Sequence, residues 1–146
     1  MQASSESEAE IYIYDEIGYW GVTAKQFVAN LKALGDVTHI KLHINSPGGD
    51  VFDGIAIFNA LKFHGAAITV FIDGLAASMA SVIAMVGNPV IMPENTMMMI
   101  HKPWGFAGGD ADDMRDYADL LDKVESVLIP AYAQKTGRQF RSLAPH

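Results

Sequence analysis

Three hydrophobic segments in the first half of the chain predict β-strands. In HIKLHI, single polar residues separate Ile40, Leu42 and Ile44, which is the pattern of a strand with one buried face. The segments at Ile11–Tyr14 and 67–72 are rich in β-branched and aromatic residues and predict two further strands. Two shorter β segments, PVIM and TMMMI, follow in the second half of the chain.

Apolar residues at helical spacing predict helices between these strands. The first helix, Ala24–Leu34, has Thr23 and Gln26 at the spacing of a capping box and Gly35 as its stop. The second follows the turn NSPGGD and ends near Gly65. Its predicted apolar face consists of Phe52, Ile55, Phe58 and Leu61.

Two more helices are predicted in the second half. A turn at Asp73–Gly74 separates the strand at 67–72 from a helix that runs from about Ala77 to Val86. The last helix is long and amphipathic, and Asp110 is its predicted N-cap. Its apolar face consists of Met114, Tyr117, Leu120, Leu121, Val124, Val127 and Leu128.

The alternation of strands and helices predicts an α/β fold of βαβ units with a largely parallel sheet. Residues 1–10 are acidic and serine-rich and are predicted to form a disordered tail. No linker divides residues 11–146, so a single domain is expected there. The segment Ala66–Gly87 is long enough to cross a membrane, but Asp73 in its middle favours a buried strand followed by a buried helix.

Charge and composition exclude several kinds of function. The net charge is −7, and the 10 Lys and Arg residues form no run, which argues against binding nucleic acid or an anionic membrane. The chain has no cysteine, so disulfides, thiolate metal sites and a cysteine nucleophile are excluded. We expect neither a metal nor a cofactor. The first residues have neither the basic start nor the apolar region of a secretion signal, so a cytoplasmic location is expected.

Three features follow the ends of predicted strands, where the reactive groups of parallel α/β folds gather. They are NSPGG after Ile44, GLAASM after Ile72, and His101 after TMMMI. Ser78 within GLAASM has two interpretations, a helix cap or a nucleophile beside amides that can bind an anion. Alone, each feature is better explained as ordinary structure, but a serine, a histidine and a glycine pair together suit acyl transfer.

The segments INSPGGDVFDGIAIFNAL, GLAASMAS and MMIHKPWG resemble the three signature regions of the ClpP-type serine peptidases, in the same order. The resemblance implies a ClpP/crotonase-like fold of stacked ββα units with a projecting handle helix. It also implies that Ser78 is the nucleophile, that His101 is the general base, and that the backbone amides of Gly49 and Met79 form the oxyanion hole. A homo-oligomeric ring with contacts through the long helix is implied as well.

The resemblance further implies that a polypeptide substrate binds as an extended strand. The strand would lie between the segment around Gly48 and the loop after the histidine, which contains Pro103, Trp104 and Gly105. Only about ten residues precede Ile11, where ATPase-coupled members carry a loop and a helix. This favours the ClpP-related proteases of bacteriophages, which cleave capsid proteins in a bacterial host. We therefore expect ATP-independent activity, and this difference from the ATPase-coupled members argues against an ATPase partner.

The chain departs from the family at the third residue of the catalytic triad. The family's Asp lies after the long helix, beyond the matching Thr136–Gly137, and the nine residues that follow here contain no acid. Four carboxylates are tempting substitutes, although none occupies the matching position: Asp50, Asp53, Asp73 and Asp110. We therefore expect the C-terminus to be truncated and the activity to be weak or absent, because loss of the orienting Asp costs about 10⁴ in turnover.

Two other functions stay open at this point. A crotonase-type enzyme also builds an oxyanion hole from two backbone amides, but it acts on acyl-CoA thioesters and needs a CoA site, for which the sequence shows no basic cluster. An inactive assembly subunit would keep the ring interface without the complete triad. Serine reactivity distinguishes the assembly subunit from a peptidase.

Overall fold

The computed structural model describes residues 1–3, 7–101 and 107–136. It divides into two compact units, one from Met1 to Met99 and one from Ile100 onward. The first unit contains the sheet and three helices, and the second contains the long helix. The single domain expected over residues 11–146 therefore stays a prediction.

A mostly parallel sheet organises the first unit, as the alternation of strands and helices predicts. The strands are β1 (Gln2–Ala3), β2 (Glu8–Ile13), β3 (His39–Ser46), β4 (Ala67–Ala77), β5 (Val90–Ile91) and β6 (Met97–Met99). Their order is β1-β2-β3-β4-β5, and β6 also pairs with β4. Only the pair β1–β2 is antiparallel among the strands described. The predicted α/β class is thereby confirmed.

The helices are α1 (Ala24–Ala33), α2 (Val51–Lys62), α3 (Met79–Ala84) and α4 (Ala111–Thr136). The predicted N-cap of α1 is confirmed, because the Thr23 side chain accepts a hydrogen bond from the Gln26 amide at 3.2 Å. The predicted cap of α4 is confirmed as well, because Asp110 Oδ1 accepts from the Asp113 amide at 2.9 Å.

The core of the first unit lies on one face of the sheet, with α1 and α2 contributing one buried stripe each. Ile40, Leu42 and Ile44 of β3 are fully buried, as their alternation predicts. The buried stripe of α1 contains Phe27 and Leu31. That of α2 consists of Gly54, Ile57 and Leu61.

The predicted apolar face of α2 was wrong at its first residue. Phe52 is 61% exposed, while Gly54 is buried and faces Met79 of α3. A β-carbon added to Gly54 would come 2.5 Å from the Met79 Cε atom. The Met79 side chain thus occupies the space above a glycine, which a pattern of large apolar residues does not reveal.

The prediction of a disordered N-terminal tail was also wrong where the structure describes residues 1–10. Strand β2 begins at Glu8, and Gln2 and Ala3 pair with it. Ala9 is fully buried, and Glu8 forms an ion pair with Lys41 of β3 at 2.8 Å. The parallel pairing with β3 extends the strand into residues whose composition is typical of a tail.

The predicted turn at Asp73–Gly74 does not exist, because β4 continues through both residues to Ala77. A β-carbon on Gly74 would lie 2.6 Å from Oδ1 of Asn45 on the neighbouring strand. The same oxygen accepts a hydrogen bond from the Leu75 amide at 3.1 Å. Gly74 therefore leaves space for the Asn45 side chain and does not form a turn. Helix α3 begins later than predicted, at Met79.

The long helix α4 of the second unit carries both buried and exposed apolar residues. Val124 and Leu128 are buried, whereas Met114, Leu120 and Val127 are exposed. The apolar face predicted for this helix is thus only partly covered. No helix among the described residues combines the length and the hydropathy that a membrane crossing needs.

Candidate active site

Ser78 lies at the turn between β4 and α3, in a backbone conformation that serine rarely adopts. Its φ is 56° and its ψ is −126°, and it is the only non-glycine residue in the described ranges with a positive φ. Such a conformation costs about 1–3 kcal/mol and is found preferentially at functional sites. Among the described residues the Ser78 side chain makes no capping hydrogen bond, so the helix-cap interpretation loses its support.

Backbone hydrogen bonds fix Ser78 on both sides. Its amide donates to the carbonyl oxygen of Met99 in β6 at 2.9 Å. Its carbonyl oxygen accepts from the Ser81 amide at 2.9 Å and from the Ser81 hydroxyl at 2.5 Å. A half-buried serine in a strained conformation is thus held by β6 through its amide and by the start of α3 through its carbonyl oxygen.

The glycine pair of NSPGG packs directly against this turn. Gly48 has a φ of 91°, and a β-carbon on it would come 2.7 Å from the Ser78 Cβ and 3.0 Å from the Met79 nitrogen. Gly49 has a φ of 149°, and a β-carbon on it would come 1.9 Å from the Ile17 carbonyl oxygen. Only glycine fits either position, because any side chain would displace the turn or the Ile17 backbone.

Ile17 determines the direction in which the Gly49 amide points. The Ile17 amide donates to the Gly48 carbonyl oxygen at 2.8 Å, and the Ile17 carbonyl oxygen accepts from the Asp50 amide at 2.9 Å. Ile17 and Gly49 form a parallel β-bridge, in which Ile17 bonds to the two residues that flank Gly49. In this pattern the amide of the central residue, Gly49, points away from Ile17. In the described part of the chain this amide donates to no backbone acceptor.

The Ser46 side chain stabilises the loop of the glycine pair through hydrogen bonds. Its hydroxyl is buried, donates to the Asp15 carbonyl oxygen at 2.7 Å and accepts from the Gly48 amide at 3.1 Å. The register between β3 and β4 shifts between Ile44 and Ser46. The Ser46 hydroxyl thus links the backbone of Asp15 to that of Gly48 and restrains the loop of the glycine pair.

The structure brings four of the predicted site residues together: Gly48, Gly49, Ser78 and Met79. His101 belongs to the second unit and is half-buried. His101 lies two residues after Met99 in the chain. The carbonyl oxygen of Met99 accepts the hydrogen bond from the Ser78 amide. Three predicted substrate-binding residues lie outside the described residues: Pro103, Trp104 and Gly105. The roles assigned to all these residues stay predictions.

The four carboxylates considered as substitutes for the missing acid have structural contacts. Asp50 caps α2 through the Asp53 amide at 2.8 Å, and Asp53 accepts from the Ala24 amide at 3.3 Å. Asp73 accepts from the Tyr14 hydroxyl and lies 3.0 Å from His43 Nδ1. Asp110 caps α4. These contacts account for all four residues without a catalytic role.

Aromatic rings and a carboxylate form a separate cluster on the second face of the sheet. The His43 ring stacks between Tyr12 and Phe71, with centroid distances of 4.6 and 4.9 Å. The hydrogen bond to Asp73, with burial and the charge of Asp73 as smaller causes, raises the pKa of Tyr14 to about 12. No group of three His, Asp or Glu side chains suited to a metal ion occurs in the ranges 1–3, 7–101 and 107–136.

Sequence reasoning missed three residues that hold the site: Ile17, Ser46 and Ser81. Ile17 acts through its backbone, and no sequence pattern reports such a contact. Ser46 was included in a turn motif without a role of its own. Ser81 could have been noticed, because it is a hydroxyl residue within the otherwise apolar stretch MASVIA of α3.

Comparisons with known proteins relate this chain to one family. A family model described as Clp protease matches residues 3–145 of the chain. The ATP-dependent Clp protease proteolytic subunit of Bacteroides fragilis is 31% identical over 137 residues, which cover 86% of this chain and 66% of that protein. The protein of the same name from Pleurastrum terricola is 32% identical over 117 residues, which cover 78% of this chain and 59% of that protein. The chain therefore spans less than two thirds of the length of these curated relatives.

Proposed function

This chain belongs to the Clp protease family, and we propose that it is a serine endopeptidase that cleaves peptide bonds through an acyl-enzyme intermediate. The observation that carries the proposal is the conformation of Ser78, a strained serine with no capping bond among the described residues, pressed against a glycine pair. A serine held in this way presents its hydroxyl for reaction instead of using it in the fold.

In the proposed first step, the Ser78 oxygen attacks the carbonyl carbon of the substrate while its proton passes to His101. The carbonyl π electrons move to the oxygen, and the amides of Gly49 and Met79 donate to the negative charge. The intermediate then collapses: the peptide C–N bond breaks, and the leaving amine takes the proton from His101. The Ser78 ester that remains is hydrolysed by water in the reverse sequence of proton transfers.

The geometry of the glycine pair supports the assignment of Gly49 as a donor. Its amide faces away from Ile17, and a β-carbon on the neighbouring Gly48 would come 2.7 Å from the Ser78 Cβ and 3.0 Å from the Met79 nitrogen. The role of His101 is supported by the resemblance to the family and by its place in the chain after β6. The substrate-binding role of residues 103–105 and of Gly48 rests on the resemblance alone.

We propose polypeptides as the substrate class, capsid proteins among them, and a homo-oligomeric ring as the working form. The exposed apolar residues Met114, Leu120 and Val127 of α4 support an association through this helix. The relatives are named as subunits of an ATP-dependent protease. The proposed chemical step consumes no nucleotide, so we expect short unfolded peptides to be cleaved without ATP.

A fluorophosphonate serine probe tests the proposal directly. Purified protein is treated with the probe and analysed by peptide mass spectrometry, with Ser78→Ala as the control. We expect the probe on Ser78 in the parent protein and no adduct in the variant. A folded protein that stays unlabelled would refute the peptidase function, and ring formation without labelling would favour an inactive assembly subunit.

A further inference from the structure

Ser81 lies one helical turn after Ser78 and is fully buried. Its hydroxyl donates to the Ser78 carbonyl oxygen at 2.5 Å, and its amide donates to the same oxygen at 2.9 Å. A serine hydroxyl that bonds to the carbonyl three residues earlier is a known local pattern in helices. Here the carbonyl belongs to the proposed nucleophile, so the pattern has a consequence beyond the helix.

The peptide unit between Ser78 and Met79 links that carbonyl to the proposed oxyanion donor. A trans peptide unit is planar, and its C=O and N–H bonds point in opposite directions. A hydrogen bond that holds the Ser78 oxygen therefore also determines where the Met79 amide points. The other proposed donor shows the same relationship, because the Ile17 amide holds the Gly48 oxygen and thereby orients the Gly49 amide.

We infer that Ser81 is a positioning residue, whose hydroxyl holds the Ser78–Met79 peptide plane so that the Met79 amide meets the developing charge on the substrate oxygen. The inference rests on the proposed function and adds a residue to its site. Stabilisation of an oxyanion requires donors that are oriented before the reaction starts. Ser78 has an unfavourable backbone conformation, so its peptide plane needs such a restraint on the carbonyl side.

The rate of probe labelling at Ser78 separates positioning from general stability. The dependence of the rate on probe concentration gives a binding constant KI and a maximal rate kinact. For Ser81→Ala we expect kinact to fall about 10-fold with KI unchanged, less than the 10²–10³ of a lost donor, because the Ser81 amide still holds the carbonyl. Ser81→Thr keeps a hydroxyl that can bond to the same carbonyl, and it should retain most of kinact even if it packs less well.

Ile83→Val is the matched control. Ile83 is fully buried in the same helix, and the loss of its methyl group lowers stability without touching the Ser78 carbonyl. We expect its kinact to equal that of the parent protein. An unchanged kinact in Ser81→Ala, or an equal fall in Ile83→Val, would overturn the inference.

A crystal structure of Ser81→Ala provides a readout that does not depend on reactivity. A rotated Ser78–Met79 peptide plane supports the positioning role, and an unchanged plane overturns it. If the parent protein is not labelled at Ser78, the proposed function is wrong. The orientation of the Ser78–Met79 peptide plane in Ser81→Ala then still shows whether the Ser81 hydroxyl holds that plane. The two failures are therefore distinguishable.

Discussion

Gly48 lies so close to Ser78 that a β-carbon on the glycine would come 2.7 Å from the Ser78 Cβ. The two residues are 30 positions apart and belong to loops that follow neighbouring strands. The contact leaves no room for a side chain, and it brings the backbone of the glycine pair to the Met79 nitrogen. The proposed site therefore requires a residue without a side chain at position 48.

Gly48→Ala should strongly reduce the reactivity of Ser78. The new methyl group would meet the Ala77 carbonyl oxygen at 2.6 Å as well as Ser78, so the turn must shift and the oxyanion donors move with it. We expect probe labelling to fall by about 10² or more, the range for a lost donor. Gly65→Ala is the control, because Gly65 has nearly the same φ of 92° with nothing within 4 Å. It should cost about 1–2 kcal/mol of stability and leave labelling unchanged.

Asp50→Asn should leave the labelling rate at Ser78 unchanged. The Asp50 side chain caps α2, and asparagine is an equally good N-cap, so stability is expected to stay the same as well. If Asp50 were the orienting acid of a triad, the same substitution would lower turnover by about 10⁴. Labelling kinetics and thermal unfolding of one variant therefore decide between a structural and a catalytic role.

Gly74→Ala should destabilise the protein through Asn45 and not through its own backbone. Gly74 has no positive φ, but a β-carbon would come 2.6 Å from Asn45 Oδ1, and overpacking of this kind costs about 1–3 kcal/mol. Asn45→Ala loses the bond to the Leu75 amide, about 1 kcal/mol. The double variant should cost less than the sum, because removal of Asn45 relieves the clash. Additive costs in urea unfolding would contradict this account.

Tyr14 should ionise only near pH 12. The hydrogen bond to Asp73 is the main reason that its pKa rises from 10.0 to about 12. A folded-state pKa above the unfolded value means that the bond stabilises the protein below about pH 10 and that this contribution is lost between pH 10 and 12. The phenolate absorbance of the parent protein, minus that of Tyr14→Phe, isolates the titration.

Asp73→Asn tests the cause of this shift. It removes the negative charge that opposes ionisation, so the titration of Tyr14 should move down toward its usual range. A titration that stays near pH 12 in Asp73→Asn would show that the negative charge of Asp73 is not what holds the phenol in its neutral form.

The sequence predicts local features of the fold well and tertiary ones poorly. The alternation in β3 and the side chains of Thr23 and Asp110 act over a few residues, and the structure confirms all three. The turn at Asp73–Gly74 is predicted from the Asp-Gly pair and from the change in composition on either side of it. The reason for this glycine is the Asn45 side chain, which the chain brings there from 29 residues away.

In the candidate site, too, local features are predicted from the sequence and tertiary ones are not. The three motifs identify Ser78 and the glycine pair, because residue types and spacing are visible in one chain. The positive φ of Ser78 and the orientation of the Gly49 amide by Ile17 are relationships between segments. They depend on how β2, β3 and β4 pair, which no local pattern specifies.

The parallel ladder of β2, β3 and β4 also affects when the site can form during folding. Its partners are far apart in sequence, since Ile13 pairs with Ile44 and Ile44 pairs with Ile72. Such non-local pairing is slow, because the entropy of closing long loops is lost before the contacts stabilise the chain. Ile17, Gly48 and Ser78 each follow one of these strands. The proposed reactive geometry is therefore expected to form late in folding, so an incompletely synthesised or partly folded chain should lack the proposed peptidase activity.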